Sequence, residues 1–145
     1  MPPLPARATI TFLYYRDLEA AAAFYEEVLG LPLVVHQRLP ESPDFCRIYR
    51  ISPTAFVGLV DERHGAHRAD EGKAVNLSFV VDDVDAWHAH VQAHGATISR
   101  PPRDSPALHI RAFMALDPGG YTLEFETFLP DPLNAAMRAG LGLRE

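Results

Sequence analysis

Two glutamates two positions apart, Glu124 and Glu126, stand in a run from Tyr121 to Phe128 whose Tyr, Thr, Leu and Phe favour a strand. Successive strand side chains alternate between faces, so Thr122, Glu124 and Glu126 share one face and Tyr121, Leu123 and Phe125 the other. The preceding run, Leu108 to Leu116, is also strand-like, and Asp117-Pro118-Gly119-Gly120 between them reads as a turn. A four-residue loop there sets Phe113 opposite Glu124 and Arg111 opposite Glu126, with His109 on the same face. A carboxyl taken out of water is pushed towards its protonated form and can then work as an acid or base near neutral pH. Glu124 is read either as such a group or as a carboxylate hydrogen-bonded to a neighbour. Arg111 and Glu126 are read either as ligand contacts or as a cross-strand ion pair of small worth if solvated.

Other reactive side chains carry weaker signals. His88, His90 and His94 sit on one helical stretch or its end, where a solvated face explains them more simply than a metal cluster. Cys46 is the single cysteine; it cannot close an internal disulfide, suits a reducing cytoplasm, and reads as a small buried hydrophobe. The chain of 145 residues is 48% hydrophobic and 22% charged, as globular chains are. Thirteen basic against nineteen acidic side chains give a net charge of −6, without a basic stripe, so nucleic acid and anionic membrane are not expected partners. No apolar run approaches the roughly 20 residues of a membrane span. Met1-Pro2-Pro3-Leu4-Pro5 has no apolar signal core and reads as a short extended arm.

The elements that must position these residues fall into two similar halves. Ala8 to Tyr15 is strand-like, Asp17 is placed as a helix N-cap, and Leu18, Ala21, Ala22, Tyr25 and Leu29 repeat at helical spacing before the stop at Gly30 and Pro32. Strands follow at Leu33–Arg38, Phe45–Ile51 and Ala55–Asp61, the last two joined at Ser52-Pro53. After a polar linker, Glu62–Lys73, the order restarts. Ala74–Val81 is a strand, Asp82 or Asp83 a cap, and Val84–Val91 a helix running to Gly95. A short strand at Ala96–Ser99, a proline-rich loop at Pro101–Pro106 and the hairpin described above complete it. Asp17 to Gly30 spans thirteen positions and Asp83 to Gly95 twelve, which makes the chain an internal repeat. The fold class is α+β: two tandem βαβββ modules, about 8–61 and 74–128, whose curved mixed sheet surrounds a pocket with the helices outside. The whole is read as one domain with a helical tail at 131–139.

Phe24-Tyr25 with Val28-Leu29-Gly30-Leu31, and Asp117-Pro118-Gly119-Gly120-Tyr121-Thr122-Leu123-Glu124, resemble the first module and the closing hairpin of the vicinal oxygen chelate superfamily. That superfamily holds glyoxalase-type lyases, ring-cleaving dioxygenases and metal-free antibiotic-binding proteins such as bleomycin resistance proteins. The resemblance runs from about Thr9 to Phe128 and implies the tandem βαβββ fold. Metal-dependent members place one His, Gln or Glu on each of four strands. Those positions fall here on Ile10, Gly58, Asn76 and Glu124. Two of the four carry no donor and a third carries an amide, so the usual metal site is not expected. A relocated divalent-metal site joining His109 to Glu124 is the alternative.

The inward face implied by Glu124 takes in Ile10, Phe12 and Tyr14 on the first strand and Asn76 on the fifth. Closing the first hairpin at Ser52-Pro53 pairs Tyr49 with Phe56 and Arg47 with Gly58, all facing inward. The expected ligand-binding set is therefore Phe12, Tyr14, Arg47, Tyr49, Phe56, Asn76, His109, Arg111, Phe113 and Glu126, with Glu124 as the candidate catalytic group. A bulge in either hairpin would exchange these faces. The reading is a cytoplasmic homodimer that binds a small aromatic ligand without a cofactor. The alternative is an enzyme of the same superfamily using Glu124 or a relocated metal.

Overall fold

The computed structural model describes residues 4–143. Of the arm expected at Met1–Pro5, residues 1–3 lie outside the described ones. The chain divides into two compact units meeting at Lys73 and Ala74, each a four-stranded mixed sheet with a helix between its first two strands.

In the first, β1 (Thr9–Tyr15) leads to α1 (Leu18–Ala23), then β2 (Leu33–Leu39), β3 (Ser42–Ser52) and β4 (Ala55–Asp61). Asp17 accepts the Ala20 N–H at 3.0 Å, satisfying one free donor of the first turn. Beyond Ala23 the helix widens into a π-helical turn, Phe24–Val28, rather than continuing as regular α-helix, and Gly30 turns the chain with a φ of 69°. Ala21, Ala22 and Tyr25 are buried on the inner face, together with Leu13, Tyr15, Val57 and Leu59. The sheet order is β1-β4-β3-β2, with β1 parallel to β4 and the other pairs antiparallel.

The second unit repeats the plan: β5 (Asn76–Val80), α2 (Val84–Ala93), β6 (Thr97–Ser105), β7 (Ile110–Leu116) and β8 (Thr122–Phe128), in sheet order β5-β8-β7-β6. Asp83 caps α2 through the Ala86 N–H. Its core is a stack of rings: Phe113 lies on Phe125 at 4.8 Å, Phe79 on Phe125 at 5.1 Å and Trp87 on Phe125 at 5.3 Å. Together the units form an α+β fold of tandem βαβββ modules.

One expectation is corrected, while the tail at 131–139 is helical as expected. The segment Pro101–Pro106 is for the most part not a loop: β6 runs through both prolines to Ser105 by means of bulges, which accommodate residues that cannot donate to the ladder. The tail is a 3-10 turn, Pro132–Asn134, followed by α3 (Ala135–Gly140). It is held by polar rather than apolar groups. Asn134 donates to the carbonyls of His109 and Leu129, and Arg138 to that of Phe128, while Leu133 and Met137 stay exposed.

Candidate functional site

The face of the second sheet opposite α2 carries the carboxylates. In the parallel pair, Asn76 lies beside Thr122, Ser78 beside Glu124 and Val80 beside Glu126. The Asn76 side chain donates to Glu124 at 3.4 Å and the Ser78 hydroxyl to Glu126 at 2.8 Å. Burial pushes the Glu124 carboxyl up to about 7, helped by its hydrogen bond with Glu126 and by that neighbour's charge; Ser78 and the Arg100 guanidinium oppose the shift. Next to Glu124 is a recess of about 210 Å³, lined by Arg100, Arg103, Ser105, Leu108, Ile110, Ala112 and Met114. It offers one acid, two guanidiniums and an aliphatic floor.

This lining corrects the expected one. Met114, not Phe113, pairs with Glu124, and Ala112, not Arg111, pairs with Glu126. The hairpin is closed by Asp117 and Tyr121 around a three-residue loop in which Gly120 takes a φ of 84°. The Asp117 carboxylate accepts from the N–H groups of Gly119 and Tyr121, which fixes that length. A slip of one residue moves every side chain to the other face. Phe113 accordingly lies in the core, stacked on Phe125 and edge-on to His88, and Arg111 forks onto Asp85 at the start of α2 and onto Asp104. Arg111 is therefore a clasp between helix and sheet, and its hydrogen bonds hold the Asp85 carboxyl low. His109 sits in the β6–β7 turn with a φ of 52° and its Nδ1 3.5 Å from Asp131, away from Glu124.

The first sheet shows the same kind of slip. The two-residue turn is Pro53-Thr54, one position later than Ser52-Pro53, and a bulge at Ile51 displaces the ladder again. Tyr49 pairs with Val57 and Arg47 with Leu59, so both leave the face of Phe56 and Gly58. Tyr49 is fully buried against Tyr25 and donates to Glu26 at 2.9 Å, and burial pushes its phenol up. Arg47 takes both oxygens of Asp44 at 2.9 Å. Ile10, Phe12, Tyr14, Phe56 and Gly58 do share the face opposite α1, since β1 and β4 pair Ile10 with Phe56 and Phe12 with Gly58. Ile48 and Arg50 join them, the Arg50 guanidinium lying 4.9 Å from the Phe56 ring. The segment after β4 folds back over Tyr14: a Cβ at Gly65 would meet its ring at 2.9 Å, and His67 packs edge-on against it.

A metal at the four superfamily positions does not fit these residues. Ile10 has no donor, and the space a side chain at Gly58 would enter is taken by the Phe12 ring, 2.4 Å from where a Cβ would stand. Asn76 offers only an amide, and that amide is turned to Glu124. Among the described residues no three His, Cys, Asp or Glu side chains converge, and His109 does not reach Glu124 to form a substitute. Cys46 is buried and its thiol is pushed up to about 11, which makes it inert. No described helix is long and apolar enough to cross a membrane.

The residues sequence reasoning missed are Arg100 and Arg103, passed over because prolines lie between them. The available signal was a pair of arginines flanking Pro101-Pro102, where a bulge turns i and i+3 to one face.

Comparison with curated protein sequences gives no match. Solved structures are similar in fold. A glyoxalase/bleomycin resistance protein/dioxygenase from Nocardioides is 22% identical over 91% of this chain and 90% of its own, with a TM-score of 0.69. An antibiotic-binding protein from Streptomyces is 22% identical over 87% and 98%, with a TM-score of 0.70. A lactoylglutathione lyase from Agrobacterium tumefaciens is 23% identical over 86% and 95%, with a TM-score of 0.64. The family model described as glyoxalase/bleomycin resistance protein/dioxygenase superfamily matches residues 7–125, and with two βαβββ modules in that span the chain belongs to this superfamily.

Proposed function

We propose that this chain binds a small organic molecule on the open face of its second sheet, without a metal at the superfamily positions. The observation that carries this reading is the recess beside Glu124, where an aliphatic floor meets a few polar groups, the usual make-up of a small-molecule site. Among similar folds the reading fits the Streptomyces antibiotic-binding protein best. An aromatic ligand has support from the first module alone, where Phe12, Tyr14 and Phe56 share a face; the floor of the recess is aliphatic. The test is a thermal-shift screen of the purified protein against small aromatic compounds and antibiotics, with metal analysis alongside. A ligand that binds only the native state raises the midpoint. One equivalent of tightly held divalent metal, or a screen in which no compound moves the midpoint, would overturn the reading.

A second reading, an enzyme, is favoured by one observation: the Glu124 carboxyl stands at about 7, where it can exchange a proton with a bound substrate. Turnover lost in Glu124→Gln with binding kept would select it. The proposal includes a homodimer. Its support is the edge strand β2, which leaves Leu33, Val34 and Val35 exposed. A monomer mass in sedimentation would remove that part. A reducing, cytoplasmic setting agrees with the lone free thiol of Cys46.

A further inference from the structure

Arg100 and Arg103 are three residues apart, a spacing that on a regular strand would place them on opposite faces. The ladder shows why they are not. Arg100 pairs with Met114 and Arg103 with Ala112, so three steps along β6 match two along β7. The extra residue is absorbed at Pro101-Pro102, where prolines give up ladder bonds. Both guanidiniums consequently share the face of Met114, Ala112 and Glu124, and both border the recess.

Their lack of a hydrogen bond or ion pair is the second observation. The chain carries nineteen acidic side chains against thirteen basic ones. Arg16, Arg47, Arg63 and Arg111 each take a carboxylate from that excess. Among the described residues, neither Arg100 nor Arg103 has a hydrogen bond or a salt bridge. Asp104, between Arg103 and Ser105, turns to the other face and joins Arg111. Glu124, which shares the recess lining, feels the Arg100 charge but makes no ion pair with it, so two like charges stand on one strand face without a paired carboxylate, which is unfavourable unless something else neutralises them.

We infer that the recess of the second module is an oxyanion-recognition site, in which Arg100 and Arg103 hold the carboxylate or phosphate of an organic acid and its apolar body lies on Leu108, Ile110 and Met114. The inference rests on the small-molecule reading above and specifies its ligand class. Guanidinium forks match the paired oxygens of such groups. The one acidic side chain of the lining is compatible with an anion: below pH about 7 Glu124 keeps its proton, so it does not repel the ligand and can donate to it.

The test is an NMR titration of the full chain with benzoate, phenyl phosphate and neutral benzamide, following the Met114 methyl. The expected result is saturable movement of Met114 with benzoate or phenyl phosphate, and affinity for benzamide at least about tenfold lower, the range of one charge-assisted bond. Which of the two anions binds tighter identifies the oxyanion. Arg100→Gln/Arg103→Gln should abolish the difference between anion and amide, while Arg100→Lys/Arg103→Lys retains part of it. Equal affinity for benzoate and benzamide at Met114 would overturn the oxyanion assignment and leave the small-molecule reading standing. A preference that survives in the glutamine double variant would overturn it as well. No movement of Met114 with any of the three would count against both.

Discussion

Replacing Glu124 by Gln should make the protein more stable at pH 8 and leave it nearly unchanged at pH 4. The folded carboxyl stands at about 7 against an ordinary 4.5, raised by burial and by Glu126. A carboxyl raised by folding contributes stability that is complete below the unfolded value and is lost as pH rises through the folded one. The window is therefore about pH 4.5 to 7: the unfolded chain releases its proton first, and the native state must later carry two adjacent carboxylates. Each tenfold in proton affinity is about 1.4 kcal/mol, so the full difference would be about 3 kcal/mol. Glu124 keeps part of its surface in water, and screening reduces this to roughly 1–2 kcal/mol. The carboxyls of Asp44, Asp61 and Asp85 are held below their ordinary 3.8, chiefly by hydrogen bonds from Arg47, Arg63 and Arg111. Their contributions are lost only as pH falls below that range, so they do not overlap the window. The assay is urea unfolding followed through Trp87 at a series of pH values, with the wild-type free energy subtracted from that of the variant. Glu126→Gln should also flatten the profile, because it removes the neighbour that raises Glu124. A difference that does not change between pH 4 and 8 would refute the account of the carboxyl pair.

Truncation tests the register of the second hairpin: Phe113→Ala should cost about 3–5 kcal/mol in urea unfolding, as buried aromatic truncations do, and Met114→Ala nearer 1. Equal costs would contradict the pairing of Met114 with Glu124. Gly58→Ala should destabilise by about 1–2 kcal/mol because the new methyl meets the Phe12 ring, and Phe12→Ala in the same chain should remove most of that penalty. The penalty persisting in the double variant would place the conflict elsewhere. Cys46 should resist thiol reagents at pH 8 in the native protein and react only at the rate of unfolding, since its thiol is buried and pushed up to about 11. Rapid labelling without denaturant would show that β3 opens locally.

Period, caps and punctuation made the elements legible in the sequence. Asp17 and Asp83 cap helices because a short carboxylate reaches the free N–H groups of the next turn, a purely local contact. The repeat of strand, helix and three strands, the motifs around Gly30 and Asp117, and the absence of donors at Ile10 and Gly58 are likewise carried by the order of residues. Grouping Ile10, Phe12, Tyr14, Phe56 and Gly58, and separately Asn76, Glu124 and Glu126, needed little beyond alternation along strands and the superfamily spacing. The faces of Arg47, Tyr49, Arg111 and Phe113 were decided otherwise, by a turn displaced by one residue with a bulge at Ile51 and by a three-residue loop at Gly120. Strand side chains have a period of two, so an error of one residue in a turn inverts the face of everything beyond it. Turn length depends on bonds such as those Asp117 makes to Gly119 and Tyr121, and on which face the core can fill with Phe113. Arg100 and Arg103 share a recess for the same reason, because the ladder to β7 continues past two prolines that by themselves read as loop.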